Sequence, residues 1–168
     1  MIYFTADFHL NHERIIKYCK RPFKNVDEMN NTILANCFTV LREGDIMYHI
    51  GDYGMGLIPV PNPARYRVMY LKGNHDRGEY WTGTPETITF KTHGLRFHLS
   101  HLIDEYVVAD AYDIYLCGHV HEKWRYYRAG NALVINVGVD VWDFKPASLK
   151  EIISLYKQVK SGRLPSEG

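Results

Sequence analysis

Four short clusters hold the residues of this chain that could do chemistry. They are Asp7-Phe8-His9, Gly51-Asp52, Gly73-Asn74-His75-Asp76 and Gly118-His119-Val120-His121, with His101 between the last two. Imidazole suits zinc, iron, nickel and manganese, and carboxylate suits hard divalent ions, so a mixed His, Asp and Asn set fits borderline first-row metals. Their order reads as a two-metal site. In extended backbone, residues i and i+2 point to the same side, so Asp7 with His9, and His119 with His121, are expected to face a cation in pairs. No cysteine takes part in the clusters, which argues against a closed structural zinc site.

Each cluster follows a short apolar run, and such a run places a ligand just beyond the end of a strand. Residues 2–6 stop at Asp7, and 46–50 stop at Gly51, whose free φ permits the turn presenting Asp52. Strands over 66–71, 95–100 and 114–117 deliver the Gly73 cluster, His101 and the Gly118 cluster. Thr92-His93-Gly94 reads as the turn of a hairpin, and Ala129-Gly130-Asn131 joins two further strands over 124–128 and 133–137. Asn25-Val26-Asp27-Glu28 and Ser148-Leu149-Lys150-Glu151 are capping boxes that open helices over 26–40 and from 149 onward. Pro59, Pro61 and Pro63 exclude regular helix over 57–64 and predict an extended loop beside an open cleft. Periodicity alone defines the chain as α/β or α+β.

The 168 residues match one domain, expected over 1–160 with a flexible polar tail over 161–168, and 46% hydrophobic residues fill a sizeable core. No apolar run reaches the length of a membrane span, and Met1 leads straight into a candidate ligand without room for a signal peptide, so a cytoplasmic protein is expected. Cys19, Cys37 and Cys117 are odd in number and read as reduced, buried thiols. A formal net charge of +1 supplies no general case for nucleic-acid binding.

The order of the clusters, D-x-H, G-D, G-N-H-D, H and G-H-x-H, resembles the calcineurin-like metallophosphoesterase family over residues 7–121. The resemblance implies a four-layer α/β/β/α sandwich of two mixed sheets flanked by helices, with a dinuclear metal site at the carboxyl ends of strands. It implies that Asp7, His9, Asp52 and His121 hold one divalent ion, and Asp52, Asn74, His101 and His119 the other. Manganese is the first choice, with iron, zinc, nickel or magnesium as alternatives. Two oxygens allow Asp52 to bridge ions, and a water shared between them becomes the hydroxide nucleophile. His75 takes the family's general-acid role, with Asp76 accepting a hydrogen bond from its far ring nitrogen. Imidazole titrates in the range that donation at neutral pH requires.

Other positions admit two readings. His101 is preferred to His98 because the family ligand follows a Ser-His step. His12 is a substrate phosphate contact or a surface histidine at a helix start. Arg21 and Arg77 match paired phosphate oxygens, although surface arginines are commoner. The stretch from Asn136 to Asp140 resembles one that lies near the site in small bacterial and phage members, and Trp142 and Phe144 either wall a pocket or pack in the core. The arginine that protein phosphatases of the superfamily carry after G-D is missing, which shifts the expectation from a monoester dianion to a diester. The expected substrate is a small phosphoester or nucleotide. A nuclease and a non-catalytic metal-binding scaffold are the alternatives, and the oligomeric state is not legible.

Overall fold

A computed structural model describes residues 1–56, 65–103 and 111–165. The expected proline loop over 57–64 lies outside the described residues, and so does its relation to the cleft.

The elements in chain order are β1 (Ile2–Thr5), α1 (Glu13–Tyr18), α2 (Val26–Val40), β2 (Ile46–Ile50), β3 (Arg67–Leu71), β4 (Thr87–Thr92) and β5 (Leu95–Ser100). They are followed by β6 (Ile114–Cys117), β7 (Tyr126–Ala129), β8 (Ala132–Asn136), β9 (Ala147–Ser148) and α3 (Leu149–Lys160). Asn25 caps α2 by accepting the Glu28 N–H at 2.8 Å, and Met29, Ile33 and Cys37 form its buried stripe one turn apart. Ser148 and Glu151 close a complete capping box on α3. Helix α1 and the two-residue β9 are not visible in the sequence pattern, because six residues with one buried side chain make no measurable period.

Two mixed sheets run in the orders β3-β2-β1-β9 and β4-β5-β6-β8-β7. Strands β1, β2 and β3 are parallel in the first, and β5, β6 and β8 in the second, so six carboxyl ends point toward one edge of the sandwich. The sheets face each other across Phe4, Ile50 and Leu71 on one side and Phe97, Leu99, Leu116 and Ile135 on the other. Stacked rings of Phe4, Tyr48, Phe90 and Phe97 run through this layer, the closest pair with centroids 5.0 Å apart. Helix α3 presses Leu149, Ile152, Leu155 and Val159 into the same core. Helices α1 and α2 cover the other face of the first sheet around Tyr3, Met47 and Ile33. Two mixed sheets with flanking helices are therefore the architecture.

The tail differs from the frayed segment expected over 161–168. Leu164 packs against the core, and the Tyr126 hydroxyl donates to the Pro165 carbonyl at 3.2 Å. Residues 166–168 lie outside the described chain.

Candidate metal centre

The strand ends continue as hydrogen-bonded loops that tie the clusters together. Asp7 N–H donates to Gly51 C=O at 3.1 Å, and His9 N–H to Asp52 C=O at 3.0 Å. Ala6 joins the two sheets, with its N–H on Val137 C=O at 3.0 Å and its own C=O receiving Val139 N–H at 3.1 Å. The ligand candidates do not sit in extended backbone as the i, i+2 reading expects. Asp7 (φ 58°), His9 (φ 49°), Asp52 (φ 57°), His119 (φ 70°) and His121 (φ 51°) all occupy the left-handed region. Such a conformation costs a non-glycine residue about 1–3 kcal/mol, and it persists only where neighbouring structure holds it. Alternating left-handed turns, rather than strand pleat, aim these side chains inward.

The side chains converge. The Asp52 carboxylate lies with Oδ2 3.5 Å from His9 Nε2 and 3.2 Å from His101 Nε2. Asp7 Oδ1 is 4.0 Å from each of the same two nitrogens. Asp7, His9 and His121 form one set of ligand atoms within 4.8 Å of one another, and Asp7, Asp52 and His101 form another. Asn74 reaches both remaining histidines, with Oδ1 3.0 Å from His101 Nε2 and 3.1 Å from His119 Nδ1. His101 Nδ1 lies 2.8 Å from Ile50 C=O, an acceptor that demands an N–H, so Nε2 is left to face the centre. His98 points the other way, against Tyr112 and Tyr115, as strand alternation requires.

Close approach depends on absent side chains. A Cβ on Gly73 would lie 2.2 Å from Asp52 Oδ1, and one on Gly118 would lie 2.7 Å from Asp7 Oδ2. These glycines serve proximity, since neither has positive φ.

Around the ligand candidates lies a ring of supporting groups that the sequence reading assigned differently or missed. Asp76 does not take the expected partner. Its buried carboxylate accepts N–H groups from Asp52 at 2.7 Å, Tyr53 at 3.0 Å and Gly73 at 2.8 Å, which pins the loops after β2 and β3 to each other. Both its oxygens are thus committed to backbone. Arg21 does not face solvent or substrate. Its guanidinium is buried, pairs with both Asp140 oxygens at 2.8 and 2.9 Å, and donates to the carbonyls of Asp7 at 2.7 Å and Phe8 at 2.9 Å. Asp140 Oδ2 in turn lies 3.2 Å from His121 Nδ1, so one buried chain runs from Arg21 through Asp140 to a ligand candidate. Cys19 lies close to this pair as well. Asn136 secures the last cluster by donating to the carbonyls of His121 at 2.7 Å and Trp124 at 2.8 Å. Trp142 packs in the core with its indole N–H on Asn136 C=O at 2.8 Å, and Phe144 packs on Phe23. Phe144 thus packs in the core, whereas Trp142 both packs there and borders a cavity with Arg125, away from the centre.

His75 is exposed, its ring 5.6 Å from that of His9, and its N–H donates to Asp52 Oδ1 at 2.8 Å. His12 sits at the start of α1 with its ring 5.4 Å from His9. Arg77 is exposed beside a cavity that adjoins Asn74 and His101.

Burial and crowding set the protonation of these side chains. Burial pushes the Asp7 carboxyl up to about 6, against the pull of His101 and His121. Burial pushes His9 down to about 3. For His101 burial also opposes charge, but the neighbouring carboxylates of Asp52 and Asp7 outweigh it and raise the imidazole above its usual value. His121 is raised to about 10, because the Asp140 hydrogen bond overrides burial.

Whether these residues fit divalent ions is tested by the atoms left over. His9 Nε2 and Asp52 Oδ2 are fully buried, face the same point and have no hydrogen-bond partner among the described residues. Orphaned polar atoms are costly inside a protein, and two aimed at one point from a nitrogen and a carboxylate fit a cation.

The geometry is that of a metal-compatible centre at the carboxyl ends of parallel strands in two facing sheets. The chain belongs to the calcineurin-like phosphoesterase superfamily, whose domain model matches residues 1–149. It is 33% identical over 174 residues to the uncharacterized protein MJ1445 of Methanocaldococcus jannaschii, covering 95% of this chain and 93% of that protein. Its structure is similar to the protein of unknown function AQ665 from Aquifex aeolicus, with a TM-score of 0.71 and 27% identity over 92% of this chain and 98% of that one. It shares its fold with a conserved uncharacterized protein, a predicted phosphoesterase, from Streptococcus pneumoniae, with a TM-score of 0.52 and 18% identity over 82% and 71% of the two chains. Among the described residues no helix is long and apolar enough to cross a membrane.

Proposed function

We propose that this protein is a cytoplasmic, metal-dependent phosphodiesterase acting on small phosphoesters such as nucleotides. The observation that carries the reading is the orphaned pair, His9 Nε2 and Asp52 Oδ2, inside a ring of aspartates and histidines. Asp7, His9, Asp52 and His121 would hold one divalent ion, and Asp52, Asn74, His101 and His119 the other, with manganese the first choice. When bound, such ions acidify water and neutralise phosphoryl oxygens.

The chain's own residues supply the remainder. Ile50 C=O engages Nδ1 of His101, and Asp140 engages Nδ1 of His121, so both imidazoles turn Nε2 toward the centre. The ring of His75 makes no hydrogen bond among the described residues and stands exposed beside His9, and in this reading it would give a proton to a departing alkoxide oxygen. Asp76 acts as a positioning residue for the loops that carry Asp52 and Asn74. Arg21 is committed to Asp140 and so is not available to a monoester dianion, which, with no arginine after Gly51-Asp52, favours the diester. Three buried free cysteines fit a reducing compartment.

Hydrolysis of bis-p-nitrophenyl phosphate beside p-nitrophenyl phosphate, on chelator-stripped protein resupplied with manganese, tests the reading. Diester turnover that returns with metal and exceeds monoester turnover is expected. Faster monoester cleavage would reverse the diester preference, and no cleavage of either ester with metal bound would overturn the enzyme.

A further inference from the structure

Two neighbouring residues divide the cleft. The His75 ring lies toward His9, whereas Asn74 leans the other way, between His101 and His119. On the Asn74 side a cavity of about 520 Å³ opens directly off the centre, within the range of small-molecule sites. Lys72 and Arg77 line it, and among the described residues neither side chain makes an ion pair or hydrogen bond. Of the two carboxylates among its described lining residues, Asp76 is committed to three backbone N–H groups, leaving Glu86 against Lys72 and Arg77. Among the described residues no Phe, Tyr or Trp lines the cavity, so none of them offers a platform on which a base could stack.

We infer that this cavity is a subsite for a second phosphate, carried on the arm of the diester that stays with the phosphoryl group. The inference rests on the phosphoester reading of the adjoining centre. With the proton donor on the His75 side, the departing oxygen faces His75 and the retained arm lies over Asn74 toward Lys72 and Arg77. The substrate class is then a small diester with a terminal phosphate, such as a nucleoside bisphosphate ester, rather than a cyclic mononucleotide with one phosphate. A strand of nucleic acid is a poorer occupant, because a single pair of cations beside the centre, on a chain of formal net charge +1, makes no track for a polyanion.

Two chromogenic esters test this: thymidine 5′-(p-nitrophenyl phosphate) and the same ester bearing a 3′-phosphate. Water supplies the new oxygen on phosphorus, the P–O bond to the nitrophenyl oxygen breaks, and the products are p-nitrophenol with thymidine 5′-phosphate from the first ester and with thymidine 3′,5′-bisphosphate from the second. The 3′-phosphorylated ester is expected to have a kcat/KM higher by about tenfold, as charge-assisted contacts from two cations imply. In a Lys72→Met/Arg77→Met double variant that ratio should fall toward one, whatever the absolute rates. Both esters cleaved at equal kcat/KM by the natural protein would overturn the subsite and leave the phosphodiesterase standing.

Calorimetric binding of the two products separates the readings when neither ester is cleaved. Thymidine 3′,5′-bisphosphate binding about tenfold tighter than thymidine 5′-phosphate would keep the subsite while the hydrolase falls. Equal binding would remove the subsite. A further tenfold gain on lengthening the ester to a hexanucleotide would also overturn it, since that gain belongs to a strand.

Discussion

Asp140 shows how much of this centre is held from outside. Its carboxylate stands between the Arg21 guanidinium and His121 Nδ1, and it stays ionised because those two partners offset its burial. Outer carboxylates of this kind fix the tautomer and ring direction of a ligand, and their loss typically costs about 10–100-fold in metal affinity or activity. Asp140→Asn should therefore weaken metal binding by that order in calorimetric titration while leaving the circular dichroism spectrum unchanged. His75 belongs to a different category, since it touches the centre without completing it. His75→Ala should keep both metals and slow alkyl diesters by about 10²–10⁴-fold, but slow p-nitrophenyl esters far less, because a good leaving group needs little protonation. Equal losses on the two kinds of ester would remove His75 from the acid role. The ligand candidates were legible in the sequence because each lies in a compact cluster after an apolar run. Asp140 was legible only as a neighbour of the site, because its link to His121 spans 19 residues and no periodic pattern points across a strand and a turn. The misreading of Arg21 has the same origin, since a buried arginine and a surface arginine look alike until a distant carboxylate is brought to it.

Elements matter here through where they stop. Six parallel strands end at one edge, and beyond those ends the backbone turns left-handed at five of the ligand candidates. The strands themselves were readable from apolar runs, and α2 and α3 from their caps, because those signals are local. Left-handed turns at Asp7, His9, His119 and His121 were not, since neither residue type requires that conformation and the surrounding hydrogen bonds impose it. Gly73 lies where β3 hands over to its cluster, and its role is to let Asp52 approach. Gly73→Ala should force the two loops apart, destabilise the protein by about 1–3 kcal/mol, and lower metal affinity together with stability. Denaturant unfolding with and without manganese checks this. Metal affinity unchanged in a destabilised variant would show that the approach of Asp52 is not what the glycine secures.

At the scale of the whole molecule, the centre is an electrostatic fault that a cation would repair. Burial raises the folded pKa of Asp7 to about 6, above the ordinary 3.8 of the unfolded chain, so its contribution to stability is full below about pH 3.8. That contribution is lost as pH rises through about 6. In chelator-stripped protein, Asp7→Asn should therefore be more stable than the natural chain above pH 6, with the gap closing below about pH 4. Urea unfolding as a function of pH measures it, and with manganese present the order should invert, because the carboxylate then has its partner. A natural chain that stays the more stable above pH 6 without metal would mean that Asp7 is already compensated within the protein. The two facing sheets bring this about by setting Asp7, from the first, against the Gly118 loop of the second. The most direct measurement is a stepwise manganese titration of stripped protein that follows bound metal and bis-p-nitrophenyl phosphate turnover together, beside Asp52→Asn. Two equivalents bound, activity rising with the second, and loss of both in the variant are predicted. A single equivalent giving full activity, or an Asp52→Asn protein that binds two and turns over normally, would contradict a centre bridged by Asp52.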